Sequence, residues 1–500
     1  MPIRLRNRSW LAILLLLVAT TYAPTAETLR FELTFAESIS NQPFTGRVFV
    51  FLSAGTLREP RFGPNWLKPE PFFASDVKDW RPGTPITIDN NALGFPMKLA
   101  QLPSGTYTAQ AVMDFDRGCL AIGNGPGNAY SKPVKFEHSA EGAKPIALQI
   151  DQVVPERTFT ETDRIKLIDI ESKLLTAFYG KPTRLKAGVI LPASYTEKPD
   201  KRYPVIYDIP GFGGDHFYAT RVAGRKPTDV AGVEMLYVVL DPNCRTGHHV
   251  FADSANNGPC GKALVEELIP HIEKSFRGIG RPEARFVTGH SSGGWSSLWL
   301  QVAYPDFFGG VWSLSPDPVD FRDFQRINIY KRGENCFKDD LGVLRPLARR
   351  DDKPILYFQH FSDMEFVLGR GGQLGSFEAV FSPRGSDGQP RQLWDRKTGV
   401  IDPEVAKSWE AYDINLVLKR NWNVLGPRLK GKLHIYTGEK DTFYLEGAVR
   451  LLRGTLTELG SDAVIEIMPG HDHGSLLTRA LYDRIAQEMA ETYRRSLPQQ

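Results

Sequence analysis

Four cysteines are spread over 500 residues, too few for a small scaffold held together by disulfides. Neither sign of charge dominates. Lys and Arg number 61 against 58 Asp and Glu, a formal +3, and no cluster of basic residues marks a nucleic-acid surface. Apolar runs are short: the longest, residues 10–19, falls well below the roughly 18–20 residues that span a bilayer. There is no internal repeat, no low-complexity tract and no HExxH pattern of a zinc hydrolase. What remains is an ordinary globular balance, 41% hydrophobic and 24% charged, in a chain long enough for about two or three structural units.

The first segment carries its own signal. Arg4, Arg6 and Arg8 precede the apolar run, and Thr20, Thr21, Tyr22, Ala23, Pro24, Thr25 and Ala26 form a small or polar exit. A basic start, a short apolar centre and small residues at the end read as a secretory signal peptide over residues 1–26. Cleavage after Ala23 would leave Pro24 next, so the bond after Ala26 is preferred. Removing this segment takes Lys and Arg from 61 to 58, equal to the 58 acidic residues. The mature chain is then neutral, with no membrane span, and is expected in the periplasm or outside the cell. Export permits disulfides, and a Cys244–Cys260 bridge would stabilise by about 3 kcal/mol in the chain-entropy model. Cys119 and Cys336 have no local support for pairing.

Two textures divide the mature chain. Over residues 27–155 the runs are short, alternating and broken by Gly and Pro, with strands expected at 47–52 and 105–112. This predicts a small all-β sandwich domain, with a long irregular loop over 60–85. From 156 to 500 strand-like runs at 203–208, 235–240, 285–288, 310–314, 433–436 and 464–467 alternate with helical spacing, as in Leu264, Val265, Leu268, Ile269, Ile272 and Phe276. That alternation predicts a mostly parallel α/β sheet flanked by helices. Residues 321–431 break the rhythm and read as an insertion over one end of the sheet.

The strongest chemical signal is Gly289-His290-Ser291-Ser292-Gly293-Gly294, which follows a strand and precedes a stretch able to be helical. A G-x-S-x-G in that context is a nucleophile elbow, whose serine must stand clear of the sheet on a sharp turn. Only Ser291 has glycines at both −2 and +2. The bland reading of the same residues is a tight turn in which Ser291 caps a helix. Serine needs a base, and the base a carboxylate. After the last two strands the chain offers Gly438-Glu439-Lys440-Asp441 and then Gly470-His471-Asp472-His473-Gly474, the order acid then histidine that this fold uses. Ile209-Pro210-Gly211-Phe212-Gly213-Gly214 follows an early strand and suits an oxyanion loop, with N–H donors from Ser292 and Phe212, or Gly213.

These motifs, with Tyr203-Pro204-Val205-Ile206-Tyr207, residues 263–273 and Tyr304-Pro305-Asp306, resemble the putative-esterase family of α/β-hydrolases. That family includes esterase D, enterochelin-type esterases, feruloyl and acetylxylan esterases, and mycolyltransferases. The resemblance covers roughly residues 160–320 and 430–490. It implies an α/β-hydrolase fold and a serine carboxylesterase with the triad Ser291, Asp441 and His473, with His471 the alternative base. A β-sandwich ahead of the catalytic domain also occurs among such esterases. The resemblance further places the segment with His248, His249, Cys244 and Cys260 near the mouth of the site, making the two histidines candidate substrate contacts. It calls for no metal and no organic cofactor, and for a small-molecule or carbohydrate-linked ester as substrate. Three rivals stand beside it: a metal-dependent hydrolase using His471, Asp472, His473, His248 and His249, a serine peptidase or acyltransferase with the same triad, and a non-catalytic binding protein. The residues do not specify the ester or the oligomeric state.

Overall fold

The computed structural model describes residues 1, 28–55, 59–115, 121–139, 144–224 and 228–498. Apart from Met1, the signal-peptide segment lies outside the described residues, and so does Cys119. No helix among the described residues is long and apolar enough to cross a membrane.

Nine strands between Phe31 and Val153 make one sheet, running Ile86–Ile88, Phe31–Phe35, Ile146–Val153, Ala129–Ser131, Gly105–Asp114, Phe44–Ser53, Phe72–Trp80 and Leu93–Phe95, with Val134–His138 off this path. Alternation explains the strands. In Phe31–Phe35 the residues Phe31, Leu33 and Phe35 are buried while Glu32 and Thr34 are half-buried. The pattern predicts facing sheets, whereas hydrogen bonding here runs through all nine strands. The reason is the length of Gly105–Asp114. One edge pairs with Phe44–Ser53, and the other takes Val134–His138 and then Ala129–Ser131.

A second sheet has eight strands: β1 (Ile165–Glu171), β2 (Arg184–Ile190), β3 (Val205–Ile209), β4 (Leu236–Leu240), β5 (Arg285–His290), β6 (Gly310–Leu314), β7 (Leu433–Gly438) and β8 (Val464–Met468). Their spatial order is β1-β2-β4-β3-β5-β6-β7-β8. β2 is antiparallel to both β1 and β4, and all other neighbours are parallel. Strands β3, β4 and β6 are buried at every position, as expected of a parallel sheet covered on both faces. Loops leaving β3, β5, β6, β7 and β8 therefore gather at one end, the place where such sheets hold ligands.

The break between β6 and β7 holds an antiparallel pair, Pro346–Arg350 with Lys353–Tyr357, and helices Phe358–Leu368, Gln373–Phe381, Pro403–Trp409 and Ile414–Leu429. It ties the two sheets together. Helix Phe358–Leu368 packs on Phe72–Trp80 and Leu93–Phe95. Strand Phe44–Ser53 is apolar on both faces: Val48, Val50 and Leu52 enter the N-terminal core, while Phe49 and Phe51 join Phe72, Phe95 and Val112 in a core continuous with the second sheet. Arg47 donates to the carbonyl oxygens of Phe366 and Val367 at 3.1 and 3.0 Å, and Arg370 pairs with Asp114 at 2.7 Å.

Because this core is shared, Phe51→Ala is expected to cost about 3–5 kcal/mol and to lower a single calorimetric transition of the whole chain. Two separate transitions, of which only one moves, would contradict the shared core.

Candidate active site

Ser291 sits between β5 and helix Ser292–Ala303 with φ 61° and ψ −125°, a conformation that costs a non-glycine residue about 1–3 kcal/mol. Neighbours hold it there. Its N–H donates to Leu314 O at 3.0 Å, and its carbonyl accepts from Trp295 N–H at 3.0 Å and Asp317 N–H at 3.2 Å. The turn requires the flanking glycines for a measurable reason. A Cβ on Gly289 would lie 2.2 Å from Gly293 O, and one on Gly293 would lie 1.8 Å from Ile209 O. No side chain fits either gap, so the helix can press its first turn against β3 only with glycine there.

The acid and histidine loops meet beside this turn. Asp441, just past β7, is fully buried; its Oδ2 lies 2.7 Å from His473 Nδ1, past β8, and its Oδ1 accepts from Phe443 N–H at 2.9 Å. Burial disfavours the charged His473 ring, but the Asp441 carboxylate outweighs it and holds the imidazole above its ordinary pKa. Burial likewise opposes the Asp441 charge, and the imidazole in turn keeps that carboxyl below its usual value. His290 Nε2 bonds the His473 carbonyl at 2.8 Å, and the Phe443 ring stands edge-on to His473 at 5.0 Å. His471 is elsewhere: its Nδ1 bonds Ser475 O at 2.9 Å.

Ser291 and His473 line one cavity of about 270 Å³. Their side chains are not hydrogen-bonded to each other, a looseness common without substrate. Gly211 and Phe212 form part of the wall, and a Cβ on Gly211 would sit 3.3 Å from Ser291 Cβ. Among the described residues the N–H groups of Ser292 and Phe212 have no hydrogen-bond partner; Ser292 opens its helix, where first-turn donors are free.

His248 and His249 do not reach the cavity. Both are buried, and burial lowers their pKa to about 4 and about 3. His248 has a different place. Its Nδ1 accepts from Val250 N–H at 3.1 Å, which leaves the proton on Nε2, and Nε2–H donates to Pro210 O at 2.9 Å. It pins the loop that carries Gly211 and Phe212. Cys244 and Cys260 are free thiols, not the expected bridge. Cys244 lies in a hairpin and Cys260 opens the helix Cys260–Lys262, and each satisfies its thiol locally: Cys244 Sγ lies 3.1 Å from Thr246 Oγ1, and Cys260 Sγ donates to Asn257 O at 3.2 Å. Burial raises both thiols above their ordinary pKa. Cys336 is also free and buried. The histidines of the metal reading are not brought together, and no group of three or more ligand-type side chains able to hold a metal occurs among the described residues.

Other lining residues escaped the sequence reading. Trp66, from the loop of the N-terminal unit, packs its ring 5.4 Å from Phe212 and 4.9 Å from Phe361. Gln325, Leu347, Phe361, Gln373 and Phe377 come from the break between β6 and β7. Asp317, three residues past β6, is buried and accepts from Ser292 Oγ–H at 2.5 Å. Its position beyond a parallel strand next to the strand that leads into Ser291 was a usable signal; Trp66 had none, being distant in sequence.

The sequence profile of the family described as putative esterase matches residues 181–446, more than half of the chain. The chain belongs to the putative esterase family. The match spans the Ser291 elbow, the Gly211 loop and Asp441, which makes the protein an esterase. Solved structures similar to it include a ferulic acid esterase (14% identity, 66% of this chain and 99% of that one, TM-score 0.41). S-formylglutathione hydrolase from Agrobacterium tumefaciens is another (13% identity, 66% and 95%, TM-score 0.42). A third is FphF, a fluorophosphonate-binding serine hydrolase of Staphylococcus aureus (15% identity, 66% and 98%, TM-score 0.37).

His248→Ala removes the donor that pins Pro210. It is expected to lower kcat on a small aryl ester about 10-fold while KM changes less than about twofold, since loop position is lost and not a contact in the cavity.

Proposed function

We propose that the protein is an exported serine carboxylic-ester hydrolase with an α/β-hydrolase catalytic domain, residues 156–500, preceded by an all-β domain, residues 27–155. Ser291, His473 and Asp441 act as nucleophile, base and orienting carboxylate, and Ser292 and Phe212 N–H groups receive the oxyanion. The observation that carries this reading is the 2.7 Å Asp441–His473 pair, whose histidine shares one cavity with Ser291, on three loops at the same end of one sheet.

The chemistry follows from the positions. His473 Nε2 takes the Ser291 hydroxyl proton as Oγ attacks the ester carbonyl. The carbonyl oxygen gathers negative charge and takes up the two unpaired N–H donors. Asp441 keeps the Nδ1 proton in place and stabilises the imidazolium. When the tetrahedral intermediate collapses, His473 gives its proton to the departing alkoxide and Ser291 holds the acyl group. Water, deprotonated by His473, releases the acid by the same path in reverse. The apolar wall of Trp66, Phe212, Phe361 and Phe443 surrounds the reacting atoms and suits a substrate with an apolar or aromatic portion.

A fluorophosphonate probe is expected to label Ser291 in the active protein. Ser291→Ala should abolish the label and reduce kcat by about 10³-fold or more. Unlabelled Ser291 in protein that turns over esters would defeat the reading.

The pH dependence has a definite sign. His473 works as a base only when neutral, and Asp441 raises its pKa above the ordinary histidine value. Activity should thus rise with pH through a midpoint above about 6.5. In Asp441→Asn the limb should move to lower pH, with kcat down by about 10³–10⁴-fold. A limb that moves upward, or does not move, contradicts the pair.

A further inference from the structure

We propose that the cavity has a second functional wall, made by Asp317 and Gln373, that binds a hydrogen-bond donor on the substrate, a hydroxyl or an ammonium group. This rests on the ester-hydrolase reading and adds to it the kind of substituent the ester carries.

Both residues line the cavity with Ser291 and His473. Asp317 Oδ2 accepts from Ser292 Oγ–H at 2.5 Å and from Gln373 Nε2 at 3.2 Å, and Gln373 Nε2 also donates to Ser292 Oγ at 3.0 Å. That triangle settles the amide. A carboxylate accepts only, so Gln373 must turn its NH2 toward Asp317, and its Oε1 becomes the end away from the carboxylate. This Oε1 is buried and has no hydrogen-bond partner. Asp317 Oδ1 likewise accepts no hydrogen bond among the described residues. Gln325 stands on the same cavity with φ 52°, only 8% exposed, and its Oε1 also lacks a partner.

The wall therefore presents the free Oδ1 of Asp317 as an acceptor, with the Gln373 Nε2 hydrogens spent on Asp317 and Ser292. The Ser292 hydroxyl is spent on Asp317. An ester bearing a carbonyl, ether or carboxylate there would meet like-signed oxygens, whereas a hydroxyl or ammonium supplies the missing protons. Burial raises Asp317 to about 6, so at neutral pH it is mainly the carboxylate, which accepts strongly. Trp66, Phe212, Phe361 and Phe443 also line the cavity and offer ring faces to the carbon skeleton, or to a cation.

Two matched ester sets test the wall. One carries the substituent on the acyl part: methyl 3-phenylpropanoate with its 4-hydroxy, 4-aminomethyl and 4-carboxy analogues. The other carries it on the alcohol: 2-phenylethyl acetate with the same changes. In at least one set, kcat/KM for a donor-bearing ester should exceed that of the unsubstituted one by about 10-fold, and the carboxylate should fall below it. The better of hydroxyl and ammonium identifies the donor. In Gln373→Leu and Asp317→Asn the ratio between esters should shrink toward one, and a ratio compares each protein with itself. Calorimetry with Ser291→Ala protein gives a second readout that needs no turnover. The donor-bearing product acids or alcohols should bind about 10-fold more tightly than the unsubstituted ones. Equal rates in both sets together with equal affinities overturn the wall. If no ester is turned over and no probe labels Ser291, the hydrolase reading fails, and the calorimetric comparison still decides the wall.

Discussion

Everything at this site depends on one close approach, that of Gly293 to the carbonyl of Ile209. A single methyl at Gly293 would fall 1.8 Å from that oxygen, well inside any contact distance. The approach lets helix Ser292–Ala303 start directly above β3, and it forces Ser291 into its positive φ. It also brings the loop after β3 close to Ser291. The strain at Ser291 survives because three backbone hydrogen bonds and a buried helix surround it. The geometry at Ser291 is a by-product of backbone packing, with glycine as the only residue small enough to permit it.

Around that point the molecule assembles a cavity from distant pieces. The parallel sheet supplies Ser291, Asp441 and His473 from strands that are neighbours or near neighbours in space. The long break between β6 and β7 supplies much of the wall, and the N-terminal unit supplies Trp66. The same apolar surface that joins the two sheets, Phe49 and Phe51 against the helix-bearing segment, holds that tryptophan over Phe212. Stability and site shape are thus coupled through one core. A buried histidine, His248, serves the same end from behind by fastening the Pro210 carbonyl.

Much of this was legible from residue order. Gly289, Ser291 and Gly293 declare the elbow, because the backbone leaves no other residue type room there. Asp441 and His473 follow strands at the right end of a parallel sheet, so their meeting is a consequence of topology. Periodicity also separates the β-rich first part from the alternating second. Other features were not legible. His248 and His249 read as candidate substrate contacts, but the loop folds inward and both rings are spent on the backbone. Cys244 and Cys260 lie close in sequence, but a hairpin and a helix start keep their sulfurs on local partners. The nine strands of the first unit join in one sheet because Gly105–Asp114 outruns each of its shorter partners on one edge, a matter of length matching that alternation does not encode.

Residue order alone marked out the candidate site: a serine between two glycines after a strand, a carboxylate and a histidine after later strands, and a glycine-rich loop after an early one. These follow from local rules, since steric exclusion at glycine and strand–turn–helix order act over a few residues. Only the tertiary structure decided what surrounds the chemistry. It chose His473 over His471 as the ring beside Asp441, placed Trp66 from one unit against Phe212 of the other, and set Asp317 and Gln373 on the cavity wall. Those outcomes depend on contacts between segments tens to hundreds of residues apart, and packing of that range leaves no periodic mark in a single chain.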